Sequence, residues 1–432
     1  MPVPVIRQIL TEGVGSVPLA PLLFKVGIAI GIVYLLKAYF QGASNGSERN
    51  MHGKVVLVTV SRDPVACYAS KLNSKGGTSG IGAEVVRGLA SRGAQIVLLT
   101  QAPVNDLFLI DQIEDLRTQT ANELITAEQV DLASLHSIRT FATKWIDNAP
   151  PRRLDMIVLC ANTITPRGGV LQSTEEGLEV NWGINYLANF HLLGILSPAL
   201  RAQPADREVR VIIGNCVSYL AGELPVVPKE KGGKAKSQSN HAFNAGTAYA
   251  SSKLALTTFA QAFQKHLSSY SRPDKKPMNT RVILVDPGFT RTPGMRRFLS
   301  WGSLIGLGLY LIMYPFWWLV LKSPDSGAQS FLYAAMEEHY GRGEGGWLIK
   351  ECKEVPYGRE DIQDENKQKL LWEYSEAMIQ EAEKRGAKTR AEKKSREEKK
   401  AGKTDSAGAT PSAEAGKGTA QKQSGPRRSR KA

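Results

Sequence analysis

Short apolar runs alternate along the chain with longer amphipathic ones, the pattern of an α/β sheet. Lys54–Thr59 (KVVLVT), Gln95–Thr100 (QIVLLT), Ile125–Leu132, Asp155–Ala161 (DMIVLCA), Val209–Gly214 (VRVIIG) and Arg281–Asp286 (RVILVD) read as strands. A strand covered on both faces is apolar throughout, so it shows as a continuous run rather than an alternation. Gly82–Gly93, Leu107–Thr118, Ala133–Trp145, Thr174–Leu196 and Thr247–Tyr270 read as helices, and Gly345–Ile349 as a short last strand. The helix from Thr174 is expected to stop short of Pro198, because proline carries no N–H for the helical ladder.

Two stretches exceed what a core element needs. Residues 17–40 are apolar apart from Lys25 and Lys37, about the length a spanning helix requires. They are expected to be a retained N-terminal anchor, since no small-residue cleavage site follows. Gln41–Asn50 is polar and reads as a linker. Residues 298–321 carry no charge over 24 positions. The strands on either side must share one sheet, however, and a single crossing would separate them. Pro315 and the Tyr310, Tyr314, Trp317 and Trp318 cluster instead predict a bent segment lying in the membrane interface. The expected organisation is an anchor and linker over 1–50, a catalytic domain over 51–380 and a basic, disordered tail over 381–432. Lys229–Ser239 is a low-complexity surface loop and Glu365–Lys384 an amphipathic helix.

Charge sharpens this division. The net charge is +14, of which +11 lies between Lys384 and Ala432. The tail has no aromatic residue to stack on bases, so anionic lipid is a better partner for it than nucleic acid. The four cysteines are scattered without a CxxC pair, which argues against zinc or disulfides and for a reducing compartment. No metal site is expected.

Three motifs carry chemistry. Gly76-Gly-Thr78-Ser79-Gly80-Ile81-Gly82 opens a helix after the first strand. Glycines there allow a tight turn, and the helix N-terminus offers N–H groups to a phosphate. Tyr249-Ala-Ser-Ser-Lys253 places a phenol and an ammonium on one helix face, and the nearby cation is expected to lower the phenol pKa. Asp286-Pro287-Gly288-Phe-Thr-Arg-Thr292 follows the sixth strand, where a parallel sheet presents its ligand crevice.

In order along the chain stand the glycine turn, Asp131, Ala161-Asn162, Asn185, the Tyr-Lys pair and the Pro-Gly turn. This order resembles the short-chain dehydrogenase/reductase family, of the membrane-associated, retinol-dehydrogenase-like type, over about residues 52–380. The resemblance implies a Rossmann-type, doubly wound parallel sheet, a nicotinamide cofactor and an Asn-Ser-Tyr-Lys catalytic set. By that match Tyr249 is the acid/base, Lys253 holds the cofactor ribose and tunes Tyr249, and Asn185 supports a water relay. Asp131 falls near the adenine. Gly76, Thr78, Ser79, Gly80, Ile81, Gly82, Ala161, Asn162, Pro287, Gly288 and Thr292 fall along the cofactor.

The sequence departs from the family pattern at three places. The family's Asn-Asn-Ala-Gly is here Leu159-Cys-Ala-Asn162. The catalytic Ser is expected at Ser218, two places late by count from the strand, with Asn215 or Cys216 as the other occupants of that site. Val60–Lys75 interrupts the step from strand to glycine turn, and removing it leaves KVVLVT-GGTSGIG without a gap. The ends of the insertion fit the GT and AG borders of an in-frame intron of 48 nucleotides, so it reads as retained intron. Neither a carboxylate nor an Arg ends the second strand (Leu99-Thr-Gln-Ala102), which leans cofactor choice to NADP over NAD.

The reading is an NAD(P)-dependent oxidoreductase that interconverts a lipophilic alcohol and its aldehyde or ketone. It would face the cytosol at the endoplasmic reticulum or a lipid droplet, with membrane lipids as its other partner. The competing readings are a catalytically impaired scaffold of the same fold and a nucleic-acid binder driven by the tail.

Overall fold

A computed structural model describes residues 20–60, 80–225 and 243–406. Residues 76–79 of the glycine turn, all of the insertion after Val60, the loop 229–239 and the tail beyond 406 lie outside the described residues.

The elements follow one another as α1 (Ala20–Gln41), β1 (Val55–Thr59), α2 (Ile81–Ala90), β2 (Gln95–Thr100), α3 (Leu107–Thr120), β3 (Ile125–Gln129), α4 (Leu135–Ile146) and β4 (Met156–Leu159). A π turn (Trp182–Leu187) then runs into α5 (Ala188–Arg201), followed by β5 (Val209–Gly214), α6 (Ala245–Ser268) and β6 (Thr280–Asp286). The chain closes with α7 (Pro293–Leu299), α8 (Leu304–Ile312), α9 (Tyr314–Val320), α10 (Pro324–Met336), β7 (Trp347–Lys350), β8 (Lys353–Val355) and α11 (Glu365–Ser406).

The eight strands form one sheet in the order β3-β2-β1-β4-β5-β6-β7-β8, parallel except for the last pair. The pleat sends Val55 and Leu57 to one face and Val56 and Val58 to the other. The first face is covered by α4, α5 and α6 through Phe141, Leu193 and Phe259, with Leu371 and Ile379 of α11 packed on them. The second is covered by α2, α3 and α10 through Leu89, Leu116 and Phe331. This is the doubly wound Rossmann-type sheet, and its strand order reverses between β1 and β4, the place where such sheets bind ligands.

Several boundaries differ from the sequence pattern for identifiable reasons. The helix expected from Thr174 begins later. Thr174 N–H donates to Leu178 O and Leu178 N–H to the Thr174 hydroxyl in a tight turn, Ser173 bridges to Glu179, and the π turn follows. At its other end α5 runs through Pro198. The carbonyl left without a donor belongs to Gly194, and both residues are exposed, so water can serve it. β8 was not anticipated, because Lys-Glu-Val holds no apolar run. α11 continues beyond the expected domain end at 380, through Ala-, Glu- and Lys-rich sequence of high helix propensity. Residues up to Gly386 form one compact unit and Ala387–Ala432 a second, whose described part is this helical stretch.

Gln41–Asn50 is not a free linker. Ala43 N–H donates to Glu351 Oε2 (2.9 Å), Asn45 N–H to Gln329 Oε1 (3.1 Å) and Ser47 Oγ to Glu337. Arg49 pairs with Glu208 at 2.7 Å. α1 itself is exposed over Phe24–Gln41, a stretch long and apolar enough to cross a membrane. Residues 298–321 form the short helices α8 and α9, broken at Met313, with Leu304, Ile305 and Ile312 more than three-quarters exposed.

Candidate active site

α6 positions the central pair. Asn244 caps this helix, its side chain accepting from Gly246 N–H at 2.9 Å. A helical spacing of four then puts Tyr249 and Lys253 on one face, turned toward the C-terminal ends of β4, β5 and β6. Lys253 is almost wholly buried, donates from Nζ to Gly214 O at 3.1 Å and stands 5.8 Å from the centre of the Tyr249 ring. Two donors reach the Tyr249 hydroxyl: Asn162 Nδ2 at 3.1 Å and Cys216 Sγ at 3.5 Å.

The supports behind these groups are buried and specific. Asn185, fully buried in the π turn, grips the loop after β4 by accepting from Thr163 N–H (2.8 Å) and donating to Thr163 O (2.9 Å). It thereby fixes the backbone that carries Asn162. Its own carbonyl accepts from Asn189 Nδ2 at 2.8 Å. Thr59 at the end of β1 accepts from Ala161 N–H at 3.1 Å. Asn215 Nδ2 donates to Thr257 Oγ1 (2.7 Å), whose hydroxyl in turn donates to Lys253 O at 2.7 Å.

Burial decides the protonation states. The Tyr249 phenol is held well above its ordinary pKa, first by desolvation and then by the Cys216 thiol. The expectation that Lys253 lowers it is not met here, because desolvation also draws the Lys253 ammonium down and Gly214 O occupies its proton. Burial pushes Cys160 up to about 12 and raises Asp286. At neutral pH the Tyr249 hydroxyl therefore keeps its proton.

The pair sits at one end of a cavity of about 930 Å³, near the upper limit for small-molecule sites. Its walls beyond Tyr249 are mostly apolar, with Phe289, Met295, Phe298, Trp317, Val320 and Leu321 among them. Gly288 turns with φ +73° and its N–H donates to Asp286 Oδ1 at 2.9 Å. Thr292 caps α7, accepting from Met295 N–H. Ile81, Asn162, Pro287, Gly288 and Thr292 all reach this cavity. Asp131 stands apart after β3, half-buried, accepting from Ala133 N–H at 2.9 Å.

The groups present fit a dinucleotide. Gly80 caps α2 with φ +103°, no side chain caps the helix, and a Cβ there would meet nothing within 4 Å. The first N–H groups of α2 are thus left for a phosphate. A Cβ at Gly82 would come within 3.4 Å of Cys160 Cβ, so glycine lets this helix lie close to β4.

Ser218 lies in the short 3₁₀ turn Val217–Ala221 and reaches the same cavity, but no hydrogen bond links it to Tyr249. Cys216, two residues after β5, makes that contact instead. It is one of the two other occupants the sequence offers for that site, and a count from the strand end selects it. Asn162 likewise takes part through its side chain at a position where the family pattern has glycine, which backbone reasoning alone did not foresee.

Comparison with known proteins agrees with this geometry. The short chain dehydrogenase family model matches residues 75–222. An uncharacterised oxidoreductase of Schizosaccharomyces pombe, pbr1, is 40% identical over 85% of this chain and 93% of its own length. Mouse retinol dehydrogenase 13 is 28% identical over 82% and 92% of the two chains, and mouse polyprenol dehydrogenase 28% over 81% and 90%. The chain accordingly belongs to the short-chain dehydrogenase/reductase family, in its retinol-dehydrogenase-like type, and is an NAD(P)-dependent dehydrogenase acting on CH–OH groups.

Proposed function

We propose that the protein interconverts a lipophilic alcohol and its carbonyl compound at a membrane surface, with Tyr249 as proton donor and acceptor. One observation carries the reading: the Tyr249 hydroxyl, flanked by two donors and backed by Lys253, lines a large and mostly apolar cavity. When bound, a nicotinamide dinucleotide supplies or accepts the hydride. In the reducing direction Tyr249 gives its hydroxyl proton to the substrate oxygen as that oxygen gains charge, and in the oxidising direction it takes the proton back. Asn162 and Cys216 donate toward the same point and hold the phenol in place. Ser218 lines the wall beside them.

Lys253, Asn162, Pro287, Gly288 and Thr292 hold the nicotinamide end of the cofactor, while Gly80, Ile81 and Gly82, together with Gly76, Thr78 and Ser79, hold its phosphates. Asp131 borders the adenine. At the end of β2 no carboxylate faces the ribose position, which favours NADP over NAD. The exposed apolar helix α1 anchors the chain, and α8 and α9 lie in the interface. The free thiols of Cys160, Cys216 and Cys352 suit a catalytic domain facing the cytosol, at the endoplasmic reticulum or a lipid droplet.

The test compares the full chain with Tyr249→Phe, which keeps the ring and removes the hydroxyl. Turnover of a long-chain alcohol with NADP falls about 10²–10⁴-fold, while cofactor binding followed by fluorescence stays within about twofold. Near-normal turnover in the variant would overturn the mechanism.

A further inference from the structure

The end of the anchor helix is built into the active-site cavity. Lys37 donates from Nζ to Trp318 O at 2.6 Å and to Leu321 O at 3.3 Å, the open carbonyls at the C-terminus of α9, and stands 5.0 Å from the centre of the Trp318 ring. A cation suits a helix C-terminus. Just after Lys37, half-buried Phe40 lines the cavity together with Phe298 and Trp317, and Tyr39 borders it while 79% exposed. The chain then turns at Gly42, with φ +73°. A Cβ at Gly42 would fall on the Glu351 carboxylate and within 2.6 Å of Lys322 Nζ, and these two side chains are themselves ion-paired. Ala43, next in line, donates to the same carboxylate. A tether that only held the enzyme near a membrane would need neither the lock at Lys37 nor the close fit at Gly42.

We propose that the last turn of α1 is part of the substrate site, and that Tyr39 and Phe40 determine specificity by contacting the hydrocarbon chain of the substrate. The anchor therefore selects long lipophilic alcohols as well as locating the enzyme. This rests on the lipophilic-alcohol reading above. Neither Tyr39 nor Phe40 hydrogen-bonds Tyr249 or Lys253, so their contribution belongs to substrate length and leaves proton transfer to Tyr249.

The full chain is reconstituted in phosphatidylcholine vesicles and assayed with 1-hexadecanol and 1-butanol. In the double variant Tyr39→Ala, Phe40→Ala, the KM for hexadecanol rises about tenfold or more, its kcat changes less than about threefold, and the KM for butanol moves less than about twofold. NADP affinity, read by fluorescence, stays within about twofold. A parallel pair of chimaeras replaces the anchor by an unrelated apolar helix. Exchange of 20–36 preserves the hexadecanol KM, and exchange of 20–43 raises it as the double variant does. Equal changes for both alcohols, or no change for either, would overturn the proposal. A hexadecanol carrying a diazirine gives a readout that needs no turnover. Adducts at 39–43 on the folded, NADP-binding chain support the proposal, and labelling confined to other walls sinks it. If the unmodified chain turns over neither alcohol, the reading of function fails, and the labelling still decides the role of the anchor.

Discussion

Cys216 is where a single residue changes the chemistry most. Its Sγ meets the Tyr249 hydroxyl at 3.5 Å, the place where a hydroxyl was expected from Ser218. A thiol is a weaker donor than a hydroxyl. Cys216→Ser should therefore keep turnover within about threefold of the parent or raise it. Cys216→Ala should lose about tenfold, the worth of roughly one hydrogen bond. Ser218→Ala should change turnover less than about twofold. Steady-state rates of the three variants check this ordering, and a larger loss in Ser218→Ala than in Cys216→Ala would return the role to Ser218. Lys253→Ala should lose turnover like Tyr249→Phe, but with weaker cofactor binding as well, because the family resemblance puts the cofactor ribose on its ammonium. Motif order and helical spacing single out Tyr249, Lys253 and Asn185 in the sequence, and the fold brings Tyr249 and Lys253 to one cavity. Cys216 was legible only as an alternative to Ser218, and the contact of the Asn162 side chain with Tyr249 was not, because both depart from the residue type that the pattern leads one to look for.

At the scale of elements, α5 carries a built-in acid sensitivity. His191 is buried, and its imidazole is held down to about 4, first by desolvation and then by the Arg139 charge on α4. Glu383 Oε1 lies 3.5 Å away and pairs with Arg139. The folded pKa is below the ordinary 6.5, so the unfolded chain binds the extra proton first. The stability present above pH 6.5 is lost as pH falls toward 4, by at most about 3 kcal/mol. Urea midpoints at pH 7 and pH 5 should differ in the parent and draw together in His191→Gln; an unchanged pH dependence would remove His191 as its cause.

The helices α8 and α9 give a second prediction. β6 and β7 pair in parallel from Ile283↔Trp347 to Asp286↔Lys350, and Thr290 bridges to Lys322. Both ends of the apolar stretch are thus held at one sheet edge. In sealed vesicles, the loop Lys229–Ser239 and the C-terminal tail should be open to protease from the same face. Cleavage of the two from opposite faces would make 298–321 a true span. Elements were legible in the sequence where burial writes a plain code. β2 and β5 begin and end where their apolar runs do, since strands covered on both faces are apolar from end to end. α5 was misjudged because proline was taken as a stop, while an exposed carbonyl one turn earlier makes it tolerable. The strapped segment 41–50 looked like a linker because its contacts are polar and reach residues some 300 positions away.

For the molecule as a whole, the doubly wound sheet could be read from the order of runs and motifs, and the insertion Val60–Lys75 is the one place where the sequence contradicts that order. In the fold, Gly82 at the start of α2 lies against the end of β1. A Cβ at Gly82 would lie 3.5 Å from Val60 Cγ1 and 4.0 Å from Thr59 O. Six residues, Gly76 to Ile81, are enough to span so short a gap, and the family match begins only at residue 75. Deleting Val60–Lys75 should therefore leave the fold intact and tighten NADP binding, because the cradle depends on backbone N–H groups held rigidly at the start of α2. Closing a longer loop costs only about 0.6 kcal/mol per doubling, so the effect belongs to binding more than to stability. Transcript reads that join the Thr59 and Gly76 codons directly would support retained intron. If every read keeps the 48 nucleotides and the deletion binds cofactor worse, the insertion is a working part of the protein.

The strap after α1 also sets a clock on biosynthesis. Ala43 leaves the ribosome early, but its partner Glu351 lies 308 positions later in the chain. At roughly 5–20 residues per second, the anchor waits about 15–60 s before the carboxylate that receives it has been made. For most of that interval Tyr39 and Phe40 have no wall to join, because Phe298 and Trp317 are made only near its end, while the sheet from β1 to β6 can already assemble. Docking of the anchor is then a late step of folding, and a ribosome-stalled chain ending before Glu351 should have strands β1 to β6 paired but a protease-sensitive segment around Gly42.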